Sequence, residues 1–273
     1  NLGKSGLKIS RIIVGCMSFG KKSWADWVLE DKEEIFTILK KCYDNGLRTF
    51  DTADVYSDGY SEVLLAEFIK KYNIKRDRIV ILTKLFFPVN PDDSDFTVVK
   101  GNTDEYINSK GLSRKHIMDA AKGSVERLGT YADVIQIHRF DPTTPIEETM
   151  EALHDIVKLG YTRYIGASTM KTYQFVMMQN VAENNKWTKF ISMQNYYNLL
   201  YREEENEMME YCKLTDVGII PWSPNARGIL TRPYGKVGES NREEKESGRM
   251  KNLGLDVLSE GDQLILKRVE ELA

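Results

Sequence analysis

Seven short apolar runs, each followed by a stretch with helical spacing, limit what this chain can fold into. They lie at 12–15, 48–51, 79–83, 133–137, 164–167, 190–193 and 218–222. Antiparallel neighbours need only a tight turn. A connection that carries a helix brings the chain back to the same end, so the runs predict parallel strands. Parallel strands are covered on both faces and read as continuous apolar runs, as these do. An open seven-stranded sheet would expose two long edges. The pattern is therefore read as α/β, a TIM (β/α)8 barrel with seven legible strands. The eighth strand and the rest of the C-terminal part are expected beyond Ala273. The expected organisation is one barrel domain over 1–273, C-terminally incomplete.

Helix signals fall between the runs. Asp31 is placed to cap a helix with Ile35, Phe36, Leu39 and Tyr43 on one face, ended by Asn45-Gly46. A second helix is expected over 60–72 with Ser61 as cap, and a third from Ser113 to Leu128-Gly129. The fourth runs from Pro145 to Leu159-Gly160, and others cover 171–186, 202–215 and Glu260 to Ala273. Residues 1–9 read as a small hairpin over the barrel floor. The segments 85–112 and 232–261 have no period and read as loops.

Composition narrows the function. A formal charge of −3 and a pI near 5.8 leave no footprint for nucleic acid. No apolar window reaches transmembrane length. Cys16, Cys42 and Cys212 are scattered, which argues against a disulfide framework or a metal site and for a reducing compartment, the cytoplasm. The chain starts at Asn1 rather than Met, so a natural start and any targeting segment are expected to lie outside it. A monomer or a weak homo-oligomer is expected.

Three consecutive runs end in ionisable residues: Asp51, Lys84 and His138. In a parallel barrel those ends share one face. A charge at a buried strand end needs a partner, so Asp51 and Lys84 are read as a pair. Tyr56 lies in the loop after Asp51. A phenol with its usual pKa of about 10 exchanges protons poorly near neutrality, and a neighbouring ammonium would lower that pKa. A histidine beside it would orient a carbonyl oxygen. Together they make a general acid for an oxygen on which charge develops. Such a set suits carbonyl reduction by a hydride-carrying cofactor. Trp24, Trp27, Phe86 and Phe87 fall in loops on the same face and could line an aromatic pocket. His116 and His154 sit in helices and read as structural. The Glu203-Glu204-Glu205 run reads as a solvated helix start.

The stretch Gly-Leu-Arg-Thr-Phe-Asp-Thr-Ala-Asp-Val-Tyr at 46–56 resembles the signature of the aldo-keto reductase superfamily. Leu-Thr-Lys at 82–84, Gln-Ile-His-Arg at 136–139, Tyr-Ile-Gly-Ala-Ser at 164–168 and Pro-Trp-Ser-Pro-Asn-Ala-Arg-Gly at 221–228 resemble its later motifs in the same order. The nearest look-alikes are fungal aryl-alcohol dehydrogenases and related bacterial reductases. The resemblance implies Tyr56 as proton donor, Lys84 as the group that lowers its pKa, Asp51 as the partner of Lys84, and His138 as the substrate-orienting group. It implies NADPH (NADP+) as cofactor and a small carbonyl substrate, aryl aldehydes among them. Gly15, Cys16 and Met17 would border the nicotinamide ribose, with Asp51 beside them. Ser168 and Gln194 would bond the carboxamide, and Trp222 would stack on the ring. Ser223, Pro224, Asn225, Arg227 and Gly228 would lie under the pyrophosphate. Where many members have Asn after Ser168, this chain has Thr169. The 2′-phosphate site of the family belongs to strand eight and the helix after it. A second reading is an NADPH-binding redox sensor on the same scaffold, as in potassium-channel β subunits. A barrel hydrolase is weaker, because it would want paired carboxylates or His clusters at several strand ends.

Overall fold

The computed structural model describes residues 1–90, 104–236, 245, 251–252 and 254–273. One sheet holds seven strands in chain order, each parallel to the next. They are β1 (Val14–Gly15), β2 (Thr49–Asp51), β3 (Val80–Leu85), β4 (Ala132–Ile137), β5 (Thr162–Ser168), β6 (Phe190–Gln194) and β7 (Gly218–Ile219). The main helices are α1 (Lys32–Asp44), α2 (Tyr60–Lys71), α3 (Arg114–Leu128), α4 (Ile146–Lys158), α5 (Thr172–Asn185), α6 (Met208–Leu214) and α7 (Glu260–Leu272).

Side chains crossing the interior show that this sheet is rolled. In a flat sheet β2 and β6 would lie about 19 Å apart, four spacings of about 4.8 Å. Yet Gln194 on β6 donates to the Asp51 carboxylate on β2 at 3.0 Å. That curvature is the arc of a (β/α)8 barrel, and an eighth strand is not seen among the described residues. The helices cover the outside. Phe50 of β2 packs against Phe68 of α2, which also meets Phe36 of α1, and all three rings are buried.

Local signals behave as their chemistry dictates in most places. Asp31 accepts from the Glu34 amide, Ser113 from the His116 amide, and Gly129 ends α3 in the left-handed region at φ 65°. Helix α4 starts after Pro145, as expected. Several expectations need correction. Ser61 does not cap α2. Its hydroxyl is buried against Thr52 Oγ1 and the Cys16 carbonyl, while Gly59 occupies the cap position at φ 86° with no side-chain bond. The left-handed run Ser57, Asp58, Gly59 turns the chain so sharply that Ser61 faces inward. Residues 1–9 form a turn, not a strand pair. Leu2 N–H donates to the Leu7 carbonyl at 2.8 Å, and Lys4 N–H to that of Asp216 at 2.7 Å. Gly3, at φ 55°, permits this approach, since a Cβ there would lie 2.4 Å from the Asp216 oxygen. The turn still plugs the floor, with Leu2 buried against Leu82, Val134 and Ile220. The first run shortens to Val14–Gly15, with Ile12 66% exposed. The expected helix over 202–215 resolves into a 3-10 turn at Glu203–Glu205 followed by α6. Of the expected loops 85–112 and 232–261, residues 91–103, 237–244, 246–250 and 253 lie outside the described residues.

Gly59 carries a testable consequence. A Cβ there would meet Arg127 Cδ at 2.6 Å, on top of the left-handed backbone. Gly59→Ala is expected to lower stability by about 1–2 kcal/mol from the backbone alone. Urea unfolding would read it as a lower midpoint at unchanged slope, and an unchanged midpoint would contradict the assignment.

Candidate active site

Asp51 closes β2, and register sets what surrounds it. Asp51 lies beside Leu82 of β3, and Lys84 of β3 lies beside Gln136 of β4. Residues two apart on a strand point to the same face, so Leu82 and Lys84 both face inward and the ammonium sits one step above the carboxylate's level. Lys84 is 1% exposed, and its Nζ donates to Asp51 Oδ2 at 2.5 Å, to the Thr52 carbonyl at 2.8 Å and to Tyr56 Oη at 3.3 Å. All of its N–H groups are thereby used. Burial works against its charge, but the Asp51 carboxylate and then the Tyr56 oxygen outweigh it, so its pKa is raised. The other carboxylate oxygen of Asp51 accepts from Gln136 Nε2 and Gln194 Nε2, both at 3.0 Å. Sequence reading passed over Gln136. Its signal is a polar residue inside the apolar run 134–137.

Tyr56 stands above this pair, buried except for 9% of its surface. Met17, Trp24 and Phe87 pack around it together with Ala53 and Val55. Trp24 and His138 each meet its ring edge-on, with centroids 6.2 and 5.9 Å away. Phe87 in turn meets His138 at 5.2 Å. From sequence, a lowered phenol pKa is expected for Tyr56. Lys84 pulls in that direction, but burial pushes harder and the net shift is upward. The phenol is therefore neutral. His138 is also neutral, its pKa well below the usual value because of burial first, then Lys84 and Arg139. Its Nδ1 is enclosed without a hydrogen-bond partner among the described residues.

A second charged layer lies beneath the loop. Glu62 of α2 is fully buried, accepting from Thr83 Oγ1 at 2.5 Å and from Arg127 Nε at 2.7 Å. Asp54, 1% exposed, has neither oxygen in a bond of good geometry to any described residue, and the Arg127 charge, then the Val55 amide, only partly offset its burial. Burial, followed by the nearby Glu62 charge, raises its pKa well above the carboxylate range.

The residues expected around a cofactor fall in two places: 15–17 lie beside β2, while 168 and 194 end β5 and β6 and 222–228 follow β7. Cys16 N–H donates to the Asp51 carbonyl at 2.8 Å, which brings 15–17 against the end of β2. The Cys16 thiol is buried, its pKa pushed far up by burial and then by Asp51. Ser168 Oγ donates to the Gln194 carbonyl at 2.6 Å and pairs with Thr169 Oγ1, to which Trp222 Nε1 donates at 3.1 Å. Thr169 sits at φ 49°, a left-handed position that suits Asn better than a β-branched residue. Gln194 is tied inward through Nε2, while its Oε1 accepts no bond from a described residue. Trp222 lies half-buried, with Tyr196 tilted against it at 4.6 Å. The loop after it turns through left-handed Ser223, Ala226, Arg227 and Gly228. A free amide acceptor, a flat indole and a tightly coiled loop fit the nicotinamide end of a dinucleotide. Among the described residues no cluster of His, Cys, Asp and Glu could hold a metal ion, and no helix is long and apolar enough to cross a membrane.

The model of the aldo/keto reductase family matches residues 11–273. The chain belongs to that family. This aldo/keto reductase is 56% identical to a Schizosaccharomyces pombe protein named "Putative aryl-alcohol dehydrogenase C977.14c", over all of this chain and 79% of the relative. It is 51% identical to the Saccharomyces cerevisiae protein named "Putative aryl-alcohol dehydrogenase AAD16", over all of this chain and 80% of that one. It is 50% identical to versiconal hemiacetal acetate reductase of Aspergillus parasiticus, over all of this chain and 79% of that one. Membership makes the chain an oxidoreductase of a family that uses NAD(P)H and acts on small carbonyl compounds.

The buried Asp54 of this aldo/keto reductase gives a pH test. The folded chain keeps Asp54 protonated, whereas the unfolded chain releases that proton near pH 4. Rising pH therefore favours unfolding from about 4 up to the raised folded pKa. Asp54→Asn removes that loss. Its urea midpoint should exceed the wild-type midpoint by more at pH 8 than at pH 5. An advantage that shrinks as pH rises would contradict the buried, proton-holding assignment.

Proposed function

We propose that this chain reduces aldehydes and ketones, aryl aldehydes among them, to alcohols with NADPH, and that Tyr56 is the proton donor. The observation that carries this is one ammonium, Lys84 Nζ, bonded to both the Asp51 carboxylate and the Tyr56 hydroxyl. Because Tyr56 Oη accepts from Lys84, its own O–H is left to point elsewhere, toward the mouth of the barrel. A substrate oxygen seated between Tyr56 and His138 meets a phenol donor on one side and a neutral imidazole on the other. As negative charge grows on that oxygen, Tyr56 releases its proton to it. The phenolate left behind faces Lys84 at 3.3 Å, and Asp51 keeps Lys84 in place and charged. This arrangement favours the transition state over the ground state, since the ammonium gains a full negative partner only as the proton leaves.

When bound, NADPH supplies the hydride. Trp222 would carry the nicotinamide ring, with Ser168 and the free Oε1 of Gln194 at its carboxamide. Gly15, Cys16 and Met17 would border the ribose beside Asp51, and Ser223, Pro224, Asn225, Arg227 and Gly228 would follow the pyrophosphate. The choice of NADPH over NADH rests on the family resemblance. The edges of Trp24 and Phe87 beside Tyr56 and His138 suit a flat aryl group. The barrel is read as one domain over 1–273. The free thiols of Cys16, Cys42 and Cys212 suit a reducing compartment such as the cytoplasm.

Mixing the protein with NADPH and a panel of substituted benzaldehydes tests the reading through loss of nicotinamide absorbance. Tyr56→Phe is expected to lower kcat by about 10²–10⁴-fold, the usual contribution of a positioned acid, with NADPH affinity nearly unchanged. If the wild-type protein binds NADPH yet turns over no carbonyl, the catalytic reading fails and the redox-sensing one replaces it.

A further inference from the structure

A cavity of about 400 Å³ opens beside the mouth, between the segments that follow β4, β5 and β6. Arg139, Thr169, Lys171, Tyr196, Tyr201 and Glu204 contribute to its walls. Its walls adjoin residues of the site already described. Arg139 directly follows His138, Thr169 holds Trp222 Nε1, and Tyr196 lies against the Trp222 ring. Tyr201 extends that stack, 4.7 Å from Tyr196.

The polar groups of this cavity are unevenly satisfied. Arg139 makes no hydrogen bond or ion pair with any described residue, and only burial and the Tyr56 oxygen act on its charge. Glu204 is the one acidic side chain on these walls, and it is already held: its Oε2 accepts from Asn195 Nδ2 at 2.6 Å. Asn195 in turn is fixed by the Met170 carbonyl at 3.2 Å. Tyr196, 8% exposed, has a hydroxyl with no partner among the described residues. Lys171 adds a second positive charge to the lining. A cation with no partner among the described residues, on the wall of a ring-lined cavity and next to the residue that would orient a carbonyl, has one plain use. A planar fork of N–H donors matches a carboxylate in two parallel bonds.

We propose that this cavity is a distal substrate subsite and that Arg139 selects carbonyl substrates bearing an anionic group, a carboxylate above all, on the side away from the reacting carbon. The inference rests on the catalytic reading above and deepens it. The aryl ring lies between Trp24 and Phe87 on one side and the Tyr196–Tyr201 stack on the other. Its charged substituent reaches Arg139, with Lys171 in support. Arg139 acts on affinity and not on proton transfer, so its removal changes KM far more than kcat.

The test compares 4-carboxybenzaldehyde with neutral 4-methylbenzaldehyde on the wild-type protein, Arg139→Met and Arg139→Lys. Arg139→Met is expected to raise KM for the carboxylate at least tenfold and to change kcat/KM for the neutral aldehyde less than threefold. Arg139→Lys should recover part of the loss, and added salt should erase the wild-type preference. Equal losses on both aldehydes would mean that Arg139 only supports His138, and would overturn the proposal. So would an unchanged KM for the carboxylate. Calorimetric binding of terephthalate, which holds no reducible carbonyl, separates this idea from the catalytic one. Binding that disappears in Arg139→Met upholds the subsite even if no aldehyde turns over. Turnover of neutral aldehydes with no Arg139-dependent terephthalate binding upholds catalysis and discards the subsite.

Discussion

One carboxylate joins most of the barrel. Asp51, at the end of β2, accepts from Lys84 of β3, Gln136 of β4 and Gln194 of β6. An unpaired charge so enclosed would be prohibitive, and removing one partner of a buried pair commonly costs about 3–5 kcal/mol. The three donors must therefore converge, and they can do so only if the sheet is curved. Rolling of the sheet and assembly of the candidate site are thus one event. The bond from Gln194 to Asp51 cannot form unless the strands between β2 and β6 are already rolled.

Strain gathers where the chemistry is expected. Ser57 and Asp58 precede α2 in left-handed conformations, and Thr169, Ser223, Ala226 and Arg227 do the same on the opposite wall. Non-glycine residues hold that conformation at some energetic cost, and such positions cluster at sites fixed in advance for a ligand. The anchors are visible. Ser57 Oγ accepts from the Lys21 amide, and Thr169 accepts from Trp222. The loops are held by packing and side-chain bonds, so Tyr56 and Trp222 face the mouth before anything binds.

Much of this was legible in the sequence, for physical reasons. Short apolar runs alternating with capped helices imply parallel strands, and a parallel barrel brings Asp51, Lys84 and His138 to one end. Caps such as Asp31 and Ser113 are local chemistry and were readable as such. What escaped depends on distant partners. Glu62 and Arg127 are 65 residues apart, and neither looks unusual on its own helix. Gln136 stands out in sequence only as a polar residue within an apolar run, and its partner appears only when the curl of the sheet aims it at Asp51. Ser61 has the composition of a cap, but three left-handed residues before it send it inward. The net rise in the Tyr56 pKa depends on its burial, which Met17 and Trp24 from the loop after β1 and Phe87 from the loop after β3 create. A residue list can name a charge partner, but the balance between that partner and desolvation is set by the packing.

The central claim is that Asp51 keeps the buried Lys84 ammonium charged beneath Tyr56. Burial alone would depress the Lys84 pKa, and the carboxylate reverses the sign. NMR titration of the Lys84 side chain, with lysine labelled at Cε, reads this directly in the wild-type protein and in Asp51→Asn. The account predicts a wild-type pKa above that of free lysine and a variant pKa below it. A Lys84 pKa that is the same in both proteins would contradict it.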